Sequence, residues 1–240
     1  ELRYFSVVKT HYNLIKISLT TNKSPFIHPC DPADLTCLKR SAQDAVPYLA
    51  RGVPELGLSP LDPVIIPHME TNEAGLQLTF TDTVIKGLGN CTKSYIIFFR
   101  RLDNQTAIDL RCSVTLVGRY KLSGRLLIMP IRGDGKYKIT IRNIIVKTLL
   151  DIEQQVRGGQ RYWRVTGWSH TSEMPTFVRF RFNNLFDGDE PKQIHTLANK
   201  NWYEIFREVS PPVTRAIVAR IVEETTKLFD AVPLDQLAKE

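Results

Sequence analysis

The chain has 240 residues, 42% of them apolar, and carries a formal charge of +7 with a pI near 9.3. That length fits one large domain or two small ones, and that apolar content excludes disorder of the whole chain. The positive balance permits nucleic acid, anionic membrane or acidic partners without requiring any of them, and the lack of a stretch of about 20 apolar residues excludes a membrane-spanning helix.

Residues 1–29 mix strand-like alternation around Leu14, Ile15, Ile17 and Leu19 with a polar Thr-Thr-Asn-Lys-Ser tail. They read as a poorly defined extension, and the apolar residues of 1–24, broken by Lys9, His11, Asn13 and Lys16, do not read as a signal peptide. A first helix follows. Asp31 or Asp34 suits its N-cap and Pro32 its first turn, while Leu35, Leu38, Ala42, Ala45, Val46 and Leu49 recur at helical spacing up to Gly52, with a bend at Pro47. The segment from Gly57 to Pro63 is a proline-punctuated connection, and Val64-Ile65-Ile66 are extended before Pro67.

Beyond this point the apolar period falls from 3.6 to 2. Leu76, Leu78 and Phe80 alternate with polar residues, as do Ile108, Leu110, Cys112, Val114 and Leu116, which predicts half-buried strands. Tyr95 to Arg100, with Ile97 at its centre, predicts a more apolar strand turned at Asp103-Asn104 into the Ile108 strand. Leu126 to Ile131, with Ile128, predicts a strand that meets a tight turn at Gly133-Asp134-Gly135 and returns through Tyr137, Ile139 and Ile141. Two more strands are predicted at Arg161–Trp168 and Thr176–Phe186. The expected sheet is antiparallel throughout, with Leu110, Val114, Ile139, Ile141, Phe180 and Phe182 inward and Arg111, Lys138, Arg142, Arg179 and Arg181 outward. Arg119, Lys121, Arg125, Arg132, Lys136, Lys138, Arg142 and Lys147, against the single acid Asp134, then fall on a solvent-facing side of the sheet.

From Lys192 to Phe229 the helical period returns. Trp202, Ile205, Phe206, Val209, Val213 and Ile217 belong to a stripe too extensive for a surface helix. One long helix kinked at Pro212 is expected, two shorter ones parted at Pro211-Pro212 being the alternative. Strands joined by hairpins and followed by one apolar helix imply an α+β fold: a curved sheet wound around the helix, with no separate domain boundary.

The four cysteines, at 30, 37, 91 and 112, form no C-x-x-C pair, so no metal centre is expected. Cys30 and Cys37 are close enough for a disulfide loop at the head of the first helix, worth about 2.5 kcal/mol by chain entropy. In a hairpin turned at Asp103-Asn104, Cys91 would face Leu116 and Cys112 would face Tyr95, so Cys91 and Cys112 are not expected to pair, and Cys112 reads as a small buried residue. Sequons at Asn22, Asn90 and Asn104 join the Cys30–Cys37 spacing in favouring an oxidising, extracellular compartment.

No nucleophile elbow, phosphate loop or histidine-acid-nucleophile arrangement is present, which argues against an enzyme and against a bound cofactor. Gly158-Gly159-Gln160 suits a glycine turn, Gly87-Leu88-Gly89 lacks the third glycine of a dinucleotide fingerprint, and His68, His170 and His195 are scattered.

The chain resembles the takeout and juvenile-hormone-binding family of insects from about Cys30 to Ala238. The resemblance rests on Cys30-Asp31-Pro32-Ala33-Asp34-Leu35-Thr36-Cys37, on Gly118-Arg119-Tyr120 and on the run from Gly124 to Gly135, Gly-Arg-Leu-Leu-Ile-Met-Pro-Ile-Arg-Gly-Asp-Gly. It continues through Asn183-Asn184-Leu185-Phe186-Asp187-Gly188, Asn201-Trp202, Pro212 and Val232-Pro233. It implies a TULIP-like fold in which residues 30–240 form a single domain, a long C-terminal helix in a strongly curved antiparallel sheet around an apolar tunnel, and it implies the Cys30–Cys37 disulfide. The hormone-binding branch has a second disulfide in its later half, whereas this chain has no cysteine after Cys112, so it looks more like the takeout branch.

The first functional expectation is therefore a secreted carrier, in haemolymph or another extracellular fluid and monomeric, for a terpenoid, juvenile-hormone-like or fatty-acyl ligand. Its candidate walls are Leu78, Phe80, Ile97, Leu110, Val114, Ile128, Ile139, Phe180 and Phe182 on the sheet and Trp202, Ile205, Phe206, Val209, Val213 and Ile217 on the helix. The alternative is a surface-acting protein that binds anionic membranes or other anionic partners through the basic sheet face; no nucleic acid partner is expected. High salt would weaken that mode and leave the tunnel mode almost unchanged.

Overall fold

The computed structural model describes residues 24–73, 75–91, 98–102, 105–126, 129–186 and 194–239. Helix α1 spans Leu35–Arg51, and Asp34 caps it: its carboxylate accepts from the backbone N–H of Thr36 at 3.1 Å and of Cys37 at 2.9 Å. Asp31 instead accepts from Ala33 N in the preceding turn. A disulfide joins Cys30 to Cys37, and the same corner is tied to the C-terminus, where Lys239 N donates to Cys30 O at 3.0 Å.

Among the described residues seven antiparallel strands follow: β1 Val64–Glu73, β2 Leu76–Lys86, β3 Phe98–Leu102, β4 Gln105–Leu126, β5 Met129–Arg157, β6 Gln160–Glu173 and β7 Phe177–Phe182. The sheet runs β1-β2-β4-β5-β6, with β3 extending the β2 side of β4 and β7 lying beside β6 along β5. Everything is hung on β4 and β5, of 22 and 29 residues. Strands that long do not stay flat, because each carries a right-handed twist.

A bulge is built where the two strands cross their midpoint. Val114 pairs with Ile141 but Cys112 with Ile144, and Asn143 takes a left-handed φ of 54° while its N–H donates to Ser113 Oγ. The extra residue changes which parity faces the core. Tyr137, Ile139 and Ile141 are buried before it, and Ile144, Leu150 and Ile152 after it. The expected sorting of faces holds across it: Val114, Ile139, Ile141 and Phe180 are buried, Leu110 and Phe182 half-buried, Arg111 half-buried, and Lys138, Arg142, Arg179 and Arg181 exposed.

Gly133-Asp134-Gly135 is not the expected turn. The β4–β5 reversal follows Leu126, which pairs with Met129, and both glycines lie inside β5. They are there for close approach: a Cβ on Gly135 would sit 2.4 Å from Asn183 O, and one on Gly133 2.7 Å from the Tyr120 hydroxyl. Gly158 and Gly159, both at positive φ, do make a two-residue hairpin turn between β5 and β6.

Cys91 and Cys112 form a second disulfide, against expectation. The anticipated hairpin register is correct, since Phe98 pairs with Asp109. The place opposite Leu116, however, is taken by Ile85 of β2. After Lys86 the chain leaves the ladder in a single 3-10 turn, Leu88–Asn90, whose N–H groups at Gly87 and Gly89 donate to the Asp62 carboxylate at 3.0 and 2.9 Å. That turn sets Cys91 directly beside Cys112.

Helix α2, Ile194–Lys200, and helix α3, Trp202–Ala231, form the C-terminal arm. The break falls at Asn201, and α3 continues through Pro211 and Pro212, so the prolines part no helices. Their missing N–H groups leave the Arg207 and Glu208 carbonyls without a helical donor, which is tolerable because Pro211 is exposed at this turn. The core-facing residues of α3 pack along the concave side of the sheet: Ile205, Phe206, Val209 and Val213 join the strand residues of one cluster, and Val218, Val222, Leu228 and Phe229 those of the next.

Candidate functional site

The space between α1, α3 and the sheet is not filled. One cavity of about 160 Å³ lies under α1, and another of about 60 Å³ lies under the middle of α3. They share Leu88, Leu110 and Ile221 as walls, so they run end to end along α3. Cys91 lines the first and Cys112 the second, which puts their disulfide at the waist between them.

The cavity under α1 follows from residue size. Leu38, Ser41, Ala42, Ala45, Val46 and Leu49 recur at helical spacing and all face it, and three of those six side chains are Ser or Ala. Ala42 and Ala45 are too short to reach the opposite wall of Ile108, Trp163, Ile221 and Leu228. Trp163 and Phe229, edge to face at 5.0 Å, close the floor. The outer mouth is covered by the strap before α1: Phe26 stacks on Tyr48 at 4.8 Å, and His28 N donates to Ser41 Oγ at 2.8 Å.

The narrower cavity is where the anticipated walls gather. Phe80, Leu110, Val114, Ile139 and Phe180 line it from the sheet, and Phe206, Val209, Val213 and Ile217 from the helix. Leu78 and Ile205 are instead packed into the solid core. Trp202 is half-buried against that core and lines neither cavity. Phe182 stands beyond the end of the space, where its ring meets Tyr120 at 4.8 Å and Tyr137 at 6.0 Å and forms a plug. Ile97 and Ile128 lie outside the described residues, as do the sequon asparagines Asn22 and Asn104; Asn90 is exposed.

Sequence reasoning left out the whole α1 wall, together with Ile108, Trp163, Ile221, Leu228 and Phe229. The signal for α1 was present in its amphipathic spacing. What went unread was the run of short side chains on that inner face.

Few polar groups reach the space. Thr225 donates to Ile221 O at 2.8 Å, so its hydroxyl is already satisfied along the helix, and Ser41 is engaged by His28 N. Thr148, Ser210 and Thr214 bring hydroxyls to the wall under the prolines. Among the described residues no carboxylate, lysine, arginine or cysteine thiol lines either cavity, and the His28 imidazole on the wall of the first stands 3.5 Å from the Asp44 carboxylate. Among the described residues no group of His, Cys, Asp and Glu is placed to hold a metal, and no helix is long and apolar enough to cross a membrane. A space of this kind binds by shape and dispersion rather than by charge.

The fold and its cavity define a class: a single curved antiparallel sheet holding one long helix, with an apolar-lined space between them. The chain belongs to the haemolymph juvenile hormone binding protein (JHBP) family, whose sequence model matches residues 11–239. It is 24% identical over 221 residues to the circadian clock-controlled protein daywake of Drosophila melanogaster, a match covering 86% of this chain and 85% of daywake. Over a shorter stretch of 73 residues it is 33% identical to the juvenile hormone-binding protein of Manduca sexta, covering 29% of this chain and 32% of that one. The crystal structure of Takeout 1 from Epiphyas postvittana has the same fold, with a TM-score of 0.84 at 24% identity, covering 89% of this chain and 100% of that chain.

Proposed function

We propose that residues 30–240 act as one secreted carrier domain that sequesters a slender apolar molecule in the double cavity between α1, α3 and the sheet. The observation that carries this reading is the pair of cavities with common walls, lined by apolar side chains and left open by Ala42 and Ala45 in a member of this family. A similarly sized apolar cavity, about 150 Å³, stays dry and takes up apolar guests when engineered into a protein core. A ligand burying about 300 Å² of apolar surface here gains roughly 7 kcal/mol before ordering costs, which limits this contribution alone to an affinity of about 10 μM, so a longer apolar ligand binds tighter.

The length of the space and its waist at the disulfide favour an elongated chain, terpenoid or fatty-acyl, over a compact ring system. Thr148, Ser210 and Thr214 offer a single polar anchorage to such a chain. Two disulfides and the exposed Asn90 sequon support an extracellular setting. Among the described residues the cavity walls carry no carboxylate, lysine, arginine or free thiol, and the one imidazole there, His28, faces the Asp44 carboxylate at 3.5 Å, which favours binding over catalysis.

Organic extraction of the purified protein followed by mass spectrometry, with displacement of a fluorescent fatty-acid probe, tests the reading. A co-purifying lipid or saturable probe binding is expected, with affinity lowered at least tenfold by Ile217→Trp on the helix wall. If nothing is extracted, no probe binds, and Ile217→Trp changes neither affinity nor stability, the carrier reading is wrong.

A further inference from the structure

Strand β7 is the thin wall between the narrower cavity and solvent. Val178 and Phe180 point inward and are buried, while Phe177, Arg179 and Arg181 alternate with them on the outside and are exposed. The neighbouring strands repeat the arrangement. Arg119 of β4 lies directly across from Lys136 of β5, and Lys138 of β5 directly across from Arg181 of β7. Like charges in opposed positions repel, and the fold gains nothing from them. Among the described residues, no carboxylate forms an ion pair with Arg119, Lys136, Lys138, Arg179 or Arg181, although ion pairs occur elsewhere on the surface, as between Lys147 and Glu173 at 2.7 Å. Acids stand at the border, with Asp134 across from Lys121.

Lys136, Lys138, Arg179 and Arg181 line a shallow concavity in which Asn183 and Asn199 add amide groups. At its edge Phe177 is 38% exposed, paired across the ladder with Arg142 and carrying the Arg179 guanidinium 5.5 Å from its ring centre. An exposed aromatic ring flanked by arginines, beside Lys136, Lys138, Arg179 and Arg181 with no ion-paired carboxylate among the described residues, is the composition that suits the headgroup layer of an anionic bilayer. The cations meet phosphates and the ring enters the acyl boundary. A nucleic-acid groove would interleave several aromatic residues with its cations, and among the described residues this face exposes Phe177 alone.

We propose that the outer face of β4, β5 and β7 docks the protein onto anionic phospholipid membranes, which brings the Phe180 end of the cavity against the lipid. The proposal stands apart from the carrier reading: a protein with an empty cavity would still dock, and a carrier without this face would still bind its ligand.

Co-sedimentation of the full chain with phosphatidylcholine vesicles, with and without about 30 mol% phosphatidylserine, tests it. Binding is expected only to the serine-containing vesicles and should fall steeply with added salt. Lys138→Gln, Arg179→Gln and Arg181→Gln together should weaken it roughly hundredfold, at about fivefold per charge. The control Arg164→Gln, Arg207→Gln and Lys239→Gln, which removes as many exposed cations elsewhere, should leave most of the binding. All six side chains are exposed, so folding is preserved, and circular dichroism verifies it. Phe177→Ser should weaken vesicle binding while leaving retention on a phosphate-bearing cation exchanger unchanged. Equal binding to both vesicle types, equal loss in the two triple variants, or tighter binding to a short DNA duplex than to the vesicles would overturn the proposal.

Discussion

At the scale of single residues, two buried polar groups show what the core tolerates. Glu224, on α3 and 1% exposed, accepts from Ser59 N at 2.8 Å and pairs with Arg220 at 3.0 Å and Lys227 at 2.9 Å. It thereby ties the loop before β1 to α3. Glu224→Ala removes the shared acceptor of two cations and a backbone donor, and should cost on the order of 3 kcal/mol in urea unfolding. The Tyr137 hydroxyl is buried against Thr83 at 2.7 Å, and burial pushes its pKa up to about 12. An unfolded tyrosine ionises near 10, so the unfolded chain sheds this proton first as pH rises. The contribution is therefore intact below about pH 10 and is lost as pH climbs towards 12. Urea unfolding of the wild type and of Tyr137→Phe at about pH 9 and about pH 11 should show a steeper decline in the wild type. Equal slopes would mean that the ring is solvated. Neither residue could have been singled out from the sequence, because alternation places Tyr137 inward without saying that Thr83 meets its hydroxyl.

At the scale of elements, alternation and helical spacing carried most of the information. The inward and outward sides of β4, β5 and β7 were legible because each strand obeys a period of two on both sides of the bulge at Asn143. The β4–β5 turn was not, because Gly133-Asp134-Gly135 has the composition of a turn whereas its glycines serve the close passage of Asn183 and Leu185. The second disulfide was missed for a related reason: extrapolating a hairpin ladder assumes that the strand continues, and the 3-10 turn after Gly87 ends it. The two bridges differ in the loops they close, with sequence separations of 7 and 21. Chain entropy makes the longer one worth about 3.5 kcal/mol against about 2.5 kcal/mol for the shorter. Replacing Cys91 and Cys112 by Ala should therefore lower stability more than the same change at Cys30 and Cys37, as read by thermal unfolding of the two double variants. It should also loosen the waist of the cavity, so that bulkier probes bind better in the Cys91→Ala, Cys112→Ala protein than in the wild type.

At the scale of the whole molecule, what matters is a volume, and a volume belongs to no single residue. Periodicity can say that Phe206, Val209, Val213 and Ile217 face the sheet, and they do line a cavity. It cannot separate that outcome from Leu78 and Ile205, which have the same pattern and are packed solid. The difference arises where an opposing surface is too far or too small to make contact, and here that surface is the Ser41, Ala42 and Ala45 side of α1. Filling it is consequently the sharpest test of what the empty space is for. Leucine at Ala45, which is 7% exposed and faces the wider cavity, places three more carbons in a void that already exists. In a close-packed core such an insertion costs about 1–3 kcal/mol, whereas in a real cavity the added contacts offset the strain. Ala45→Leu should accordingly leave the urea midpoint within about 0.5 kcal/mol of wild type or raise it, while weakening long-chain fatty-acid probes at least tenfold and short-chain probes much less. A large loss of stability would show that the space is already occupied by side chains. Unchanged affinity across all chain lengths, with stability retained, would show that ligands do not extend beneath α1.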